Sequence, residues 1–182
     1  MHQYVLETDR LILRPLTVND AEAEFVWLSD PEVNRFMPYN LYTSVDEARN
    51  WLRHVEQETT EYHFGFVRRE DGLLIGAGSI GPADEPCYAH LPGAWAFGYN
   101  LRRDCWNRGY ATEALTAAIA ELFRLGFDTV RAGYFSKNAA SGRVMEKSGM
   151  RRIDHTDTIE YRGAEHLCFY YEIRRDTFTD GR

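Results

Sequence analysis

Arg103-Asp-Cys-Trp-Asn-Arg-Gly-Tyr-Ala-Thr-Glu-Ala-Leu115 reads as a strand-to-helix turn suited to holding phosphate. Before it, Ala94-Trp-Ala-Phe-Gly-Tyr-Asn-Leu101 is aromatic-rich and uncharged, the pattern of a strand. After it, Ala111, Leu115, Ala118, Ile119 and Leu122 recur at helical spacing. Gly109 lets the backbone approach a ligand where a Cβ would intrude. The first turn of the helix that follows has amides without helical partners and the positive end of the macrodipole, so it attracts anions. Arg102, Arg103 and Arg108 add full charges nearby. A strand, a glycine turn and a surface helix would give the same spacing, but a plain connector has no need of several arginines.

The run Gly98-Tyr-Asn-Leu101, followed by Trp106-Asn-Arg-Gly-Tyr-Ala-Thr-Glu-Ala114, resembles the GNAT superfamily of acyl-CoA-dependent N-acyltransferases. It is most similar to the RimJ/RimL-like branch, which acetylates N-termini of ribosomal proteins. Gly109 and Ala111 fill the two small positions of that family's pyrophosphate loop. Trp106 stands where the general pattern has Gln or Arg, and Asn107 where the branch often has Gly. A second segment, Asn138-Ala-Ala-Ser141-Gly-Arg143-Val-Met-Glu146-Lys147-Ser-Gly149-Met150, resembles the family's Asn-x-x-Ser-x-Arg-x-x-Glu-Lys-x-Gly-Phe run. A third, Thr8-Asp-Arg-Leu-Ile-Leu-Arg-Pro-Leu16, is similar to the branch's first strand. The three span most of the chain in the family's order.

At 182 residues the chain is read as one domain, 1–182, large enough to bury a core. With 11 Tyr, 10 Phe and 4 Trp, disorder is excluded. No run approaches the ~20 apolar residues of a membrane span, and Met1-His-Gln-Tyr4 lacks the basic-then-apolar pattern of a signal peptide. A cytoplasmic protein with no membrane partner is therefore expected. Cys87, Cys105 and Cys168 are scattered, without metal-ligand or disulfide spacing; Cys105 reads as a small buried filler, with a nucleophilic role as the alternative. An excess of 28 Asp+Glu over 21 Lys+Arg disfavours nucleic acid as a partner.

Along the chain, Arg10–Arg14 reads as a strand stopped by Pro15. Thr17 and Asp20 resemble a cap for a helix over 18–29, with Ala21, Phe25 and Leu28 on one face. Asp30-Pro31 restarts a short helix, and 36–42 reads as an aromatic loop. Ser44-x-x-Glu47 forms a capping box ahead of a helix with Ala48, Trp51, Leu52 and Val55 on its apolar face. Strands over 62–69 and 73–80 flank a hairpin turn at Asp71-Gly72, and 81–92 reads as a loop. The helix after the phosphate loop runs to Leu125 and stops at Gly126. Then come a strand over 129–135, a helix capped by Asn138 and ended by Gly149, and strands over 151–161 and 167–174 joined through Arg162-Gly163. The resemblance implies an α+β (mixed α/β) fold: a twisted, mostly antiparallel mixed sheet, helices on both faces and a splayed central strand pair.

The reaction implied is attack of a primary amine on the thioester of acetyl-CoA, with no metal. By the resemblance, Phe97, Tyr99 and Leu101 offer backbone groups to the pantetheine arm. Asn107, Arg108, Gly109, Tyr110, Ala111 and Thr112 offer theirs to the pyrophosphate. The family's Asn, here Asn138, bonds the pantetheine, and the branch's Ser, here Ser141, sits near the CoA sulfur, which makes Ser141 the candidate proton donor or sulfur ligand; Asn138 is also an ordinary N-cap and Ser141 an ordinary first-turn residue. Many members use a Tyr as general acid where this chain has Met145, which has no proton to give. Arg143 is a candidate contact for the CoA phosphates, with a solvated helix face as the alternative. Glu160, His155, Glu165 and His166 are candidate bases, and no spacing singles one out.

The acceptor site is expected between the early helices, about 17–55, and the C-terminal hairpin. Phe36, Tyr39 and Tyr42 either pack a substrate there or form a lid over the core. Protein N-termini and small amines are both open as acceptors. The branch commonly forms homodimers, and nothing in this chain decides it. A non-catalytic acyl-CoA sensor or docking module is the reading from another class, and succinyl-CoA an alternative donor.

Overall fold

A computed structural model describes residues 5–82 and 95–179. The fold is mixed α/β. Its strands are β1 (Leu6–Glu7), β2 (Leu11–Pro15), β3 (Tyr62–Arg68), β4 (Leu74–Pro82), β5 (Trp95–Leu101), β6 (Thr129–Phe135), β7 (Arg151–Tyr161) and β8 (Ala164–Arg174). Its α-helices are α1 (Ala21–Leu28), α2 (Pro31–Asn34), α3 (Val45–Val55), α4 (Tyr110–Arg124) and α5 (Ala139–Lys147). The strand order is β1-β2-β3-β4-β5-β6-β8-β7. β1-β2, β2-β3, β3-β4, β6-β8 and β7-β8 pair antiparallel, whereas β5-β6 is parallel. The β5-β6 register consists of Trp95↔Val130 and Ala96↔Arg131, although each strand has seven residues. The loop expected over 81–92, with Cys87, lies outside the described residues from 83 onward.

Two compact units can be distinguished. The first comprises residues up to Ile80 together with Gly98–Ala114. Its core gathers Leu16, Trp27, Leu28, Val33, Ala48, Leu52, Val55, Leu74 and Ala77. β2 stops at Pro15 as expected, with Pro15 itself as its last residue, paired with Phe64. The helix expected over 18–29 begins as a 3-10 turn at Val18–Asp20. Asp20 closes that turn by accepting from the Thr17 backbone N–H at 2.9 Å and its hydroxyl at 3.2 Å, and it takes both ends of the Arg14 guanidinium at 2.7 and 2.9 Å. Burial works against ionisation of Asp20, but the hydrogen bonds from Arg14 and Thr17 outweigh it and hold the carboxyl below its ordinary value.

The buried stripe of α1 is Ala21, Glu24, Trp27 and Leu28, while Phe25 is half-buried. Glu24 thus sits inside, where sequence periodicity puts a charged residue outside. On α3, Ala48, Leu52 and Val55 are buried, but Trp51 is 37% exposed and lies edge-on to His63. The Ser44 hydroxyl accepts from the Glu47 N–H at 3.4 Å, whereas the Glu47 carboxylate reaches one residue further back, to the N–H and hydroxyl of Thr43 at 2.9 and 2.7 Å. The Asp71-Gly72 hairpin is closed by Arg68 N–H to Leu73 C=O at 2.8 Å.

The second unit comprises the described residues between Gly81 and Phe97 together with those from Leu115 onward. Leu115, Ala118, Ile119 and Leu122 of α4 are buried, as the spacing predicts. The helix stops where expected, with Gly126 at φ +98° and its N–H on the Phe123 carbonyl. α5 ends likewise at Gly149, φ +84°. The β7-β8 hairpin turns on Arg162 and Gly163, both in the left-handed region at φ 52° and 72°, the pattern of a two-residue type I′ turn. β8 begins at Ala164, three residues before the expected 167, because that turn pairs Tyr161 directly with Ala164.

Candidate active site

In the first unit, the segment from β5 into α4 is built from three local devices. The Trp106 indole N–H donates to the Leu101 carbonyl at 2.9 Å, folding the loop back onto the end of β5. Asn107 and Gly109 both adopt left-handed backbone conformations, φ 59° and 82°, which Gly and Asn tolerate better than other residues. The ladder of α4 then begins with Glu113 N–H to Gly109 C=O at 3.0 Å, so the amides of the first turn precede any helical acceptor. Asn107, Arg108 and Gly109 are exposed, Tyr110 and Ala111 are buried, and Thr112 is half-buried. This is an anion-attracting helix start reached by a turn with two left-handed residues.

The arginines around it divide differently from the sequence expectation. Arg102 is taken by Asp104 at 3.0 Å, and Arg103 lies 3.2 Å from Asp30. A cation that reaches the loop from far along the chain is Arg10, in the turn between β1 and β2. Its Nη1 donates to the Arg108 carbonyl at 2.8 Å, and its guanidinium lies over the Tyr110 ring at 4.7 Å. Glu113, in the first turn of α4, accepts from Arg10 Nε at 2.6 Å, from the Arg10 backbone N–H at 2.8 Å and from the Thr8 hydroxyl at 2.6 Å. Burial opposes its charge, but these donors outweigh it and hold the carboxyl below its ordinary value. Nothing in either segment's sequence pairs the two; the signal is a Thr-x-Arg run in one and a carboxylate in the other, 103 residues apart.

Of the strand residues, Tyr99 is half-buried and Leu101 is buried, with its carbonyl occupied by Trp106. Phe97 is buried in the second unit. Cys105 is 1% exposed, and burial followed by the Asp104 charge pushes its thiol up, which makes it a filler and a poor nucleophile. In the aromatic loop, Tyr39 and Tyr42 pack edge to face at 5.9 Å against the core of the first unit. The Tyr39 hydroxyl accepts from Asn100 Nδ2 at 2.9 Å. They form the lid over the core that was one of the two expectations.

In the second unit, Asn138 occupies the N-cap position of α5, but its side chain makes no cap hydrogen bond; the Ser141 N–H goes instead to the Asn138 carbonyl at 3.0 Å. The capping role expected of that side chain is therefore not filled, because its backbone, φ −94° and ψ 60°, lies outside the extended conformation usual for an N-cap. Ser141 is half-buried, Arg143 exposed and Met145 2% exposed in the core. Of the four candidate bases, His155 has a carboxylate partner: its Nε2 lies 3.1 Å from Asp157 Oδ1, while the Tyr170 hydroxyl donates to Asp157 Oδ2 at 3.0 Å. His166 stacks on Phe135 at 4.8 Å, and Glu160 and Glu165 are exposed directly opposite each other on β7 and β8.

Among the described residues, no helix is long and apolar enough to cross a membrane. Residues 10–151 match the family model described as the acetyltransferase (GNAT) domain. The chain is 32% identical over 153 residues to the uncharacterized N-acetyltransferase YoaA of Bacillus subtilis (strain 168), covering 81% of this chain and 83% of that protein. Its fold superposes on the crystal structure of a GNAT-family acetyltransferase from Bacillus anthracis with a TM-score of 0.81 and 24% identity, covering 95% and 99% of the two chains. A putative ribosomal-protein-serine acetyltransferase from Vibrio cholerae gives a TM-score of 0.70 at 22% identity, covering 94% and 97%.

Proposed function

The chain belongs to the GNAT family of acetyltransferases, and from that premise we propose that it moves the acetyl group of acetyl-CoA directly onto a primary amine, either a protein N-terminus or a small amine. The observation that carries the donor half is the turn at Asn107–Gly109, where two left-handed residues lead into the open start of α4. A diphosphate is the ligand such a backbone concavity suits. The amides of residues 107–112 hold the pyrophosphate; for Arg143, exposed on α5, the resemblance alone suggests a phosphate contact. Backbone groups of Phe97, Tyr99 and Leu101 receive the pantetheine arm, on the part of β5 beyond its parallel register with β6 at Trp95↔Val130 and Ala96↔Arg131. The Asn138 side chain, not used for capping, bonds the same arm.

In the transfer itself, the amine lone pair attacks the thioester carbon, the C–S bond breaks and the sulfur leaves as thiolate. An ammonium must first lose one proton to become the nucleophile, and the nitrogen loses a second once the C–N bond has formed. His155, whose Nε2 lies 3.1 Å from Asp157 Oδ1, takes the second. The thiolate gains a proton from the Ser141 hydroxyl, which solvent reprotonates, since the buried Met145 has none to give.

Release of CoA thiol by the full-length protein tests this reading, with acetyl-CoA as donor and with short peptides bearing free N-termini, polyamines and amino acids as acceptors. Ser141→Ala is expected to keep its affinity for CoA and to lose turnover by roughly a hundredfold or more. Unchanged turnover removes Ser141 from the mechanism. A protein that binds CoA yet releases no thiol with any of these amines removes the transferase reading of this chain.

A further inference from the structure

We propose that Arg10 is a positioning residue for acetyl-CoA: clamped by Glu113, it holds the Arg108 carbonyl and so sets the direction in which the loop presents its amides to the diphosphate. The inference rests on the loop reading above and adds to it a residue from the other end of the chain.

The clamp is over-determined. One carboxylate, 16% exposed, accepts the Thr8 hydroxyl, the Arg10 backbone N–H and the Arg10 Nε, with Nη2 at 2.6 Å as well. A guanidinium is a planar fork, and fixing Nε and Nη2 on a carboxylate fixes the direction of Nη1. That third nitrogen meets the Arg108 carbonyl at 2.8 Å. The same group lies beside the next two residues. Its Nη2 lies 3.3 Å from where a Cβ would stand on Gly109, and its plane covers the Tyr110 ring. Arg108 and Tyr110, on either side of Gly109, are therefore both held by one side chain.

The consequence follows from peptide geometry. In a trans peptide the C=O and the next N–H point in opposite directions within one rigid plane. Drawing the Arg108 carbonyl toward Arg10 turns the Gly109 N–H to the opposite side, away from the guanidinium. Without that bond the 108–109 peptide is free to flip, because Gly109 carries no side chain to resist it. A flipped plane would present a carbonyl oxygen to an anion in place of a donor. Lysine at this position keeps the charge and can still pair with Glu113. Its ammonium has no fork, so it cannot hold the Glu113 carboxylate and the Arg108 carbonyl in one fixed geometry.

The test compares acetyl-CoA with S-acetylpantetheine, which has the thioester arm and no diphosphate, using wild type, Arg10→Lys and Glu113→Gln as full-length proteins. Arg10→Lys is expected to raise KM for acetyl-CoA roughly ten- to a hundredfold, the range for losing a hydrogen bond to a charged group. Its kcat at saturation and its kcat/KM with S-acetylpantetheine stay at the wild-type values. Glu113→Gln, which leaves the shape intact and loosens the fork, moves the same parameter in the same direction. Wild-type affinity for acetyl-CoA in Arg10→Lys, or an equal loss with both donors, overturns the positioning role. A wild-type protein that does not prefer acetyl-CoA to S-acetylpantetheine overturns the loop reading itself, and the inference with it.

Discussion

Replacing Glu24 by Gln should make the stability of this protein less dependent on pH, and the size of the effect can be worked out from its surroundings. The side chain is 1% exposed, and its Oε2 has no hydrogen-bond partner among the described residues. Asp20, one turn earlier on the chain, is held ionised by Arg14. Burial first, and the Asp20 charge second, push the Glu24 carboxyl from an ordinary 4.5 up to about 8. At ~1.4 kcal/mol per pKa unit, that gap corresponds to about 5 kcal/mol. In the unfolded chain the proton leaves near 4.5, and in the folded chain it stays until about 8. The contribution is therefore complete below the unfolded value, declines as pH rises between the two, and is lost above the folded one. The amide of the Glu24→Gln variant does not titrate. Urea unfolding of both proteins at pH 5, 7 and 9 should show near-equal stability at pH 5 and a gap in favour of Glu24→Gln that reaches about 5 kcal/mol at pH 9. Domains are stable by only ~5–15 kcal/mol, so the wild type should lose a large part of its margin in alkali. A difference between the two proteins that stays constant across these pH values refutes the assignment of Glu24 as a buried, protonated acid.

Two further substitutions probe the loop and the second unit. Gly109→Trp fills the space beside Arg10 and imposes a left-handed conformation on a bulky residue, at a cost of ~1–2 kcal/mol; acetyl-CoA binding should disappear while the far-UV circular dichroism is retained, and unchanged affinity would count against the phosphate-loop assignment. Gly142→Ala places a Cβ 2.6 Å from the Tyr134 ring, which Phe169 and Tyr171 hold from other sides at 5.8 and 5.9 Å; thermal unfolding should show destabilisation of about 1–3 kcal/mol, and an unchanged midpoint would show that the ring yields freely.

The parts of the fold that were legible in the sequence are those fixed by a few neighbouring residues. Asp71-Gly72 and Arg162-Gly163 dictate their hairpins, Gly126 and Gly149 end their helices, and the apolar spacing of α4 predicts Ala111, Leu115, Ala118, Ile119 and Leu122 in its buried stripe, with Ala114 and Phe123 added beside them. Where reading failed, a distant partner decided the outcome. β1 has two residues, too few for any periodicity, and exists by pairing Leu6 with Leu13. Trp51 fits the apolar spacing of α3 yet lies at its edge beside His63, whereas Glu24 breaks the spacing of α1 and is buried. The Glu47 carboxylate serves Thr43 rather than Ser44, a shift of one residue that the capping pattern does not encode. In the candidate site, the glycine turn was visible because its backbone demand is local. The Arg10–Glu113 clamp was not, since nothing within either segment names the other. The arginines adjacent to the loop in sequence, Arg102 and Arg103, turn out to serve Asp104 and Asp30.

On the proposed reading, the turn at Gly109 and the start of α4 hold the diphosphate of acetyl-CoA, and isothermal titration of the purified protein with acetyl-CoA, beside CoA and succinyl-CoA, measures it. Acetyl-CoA and CoA should each bind saturably at one site per chain. A folded sample that binds none of the three would contradict that reading and return the stretch around Gly109 to an ordinary turn before a helix.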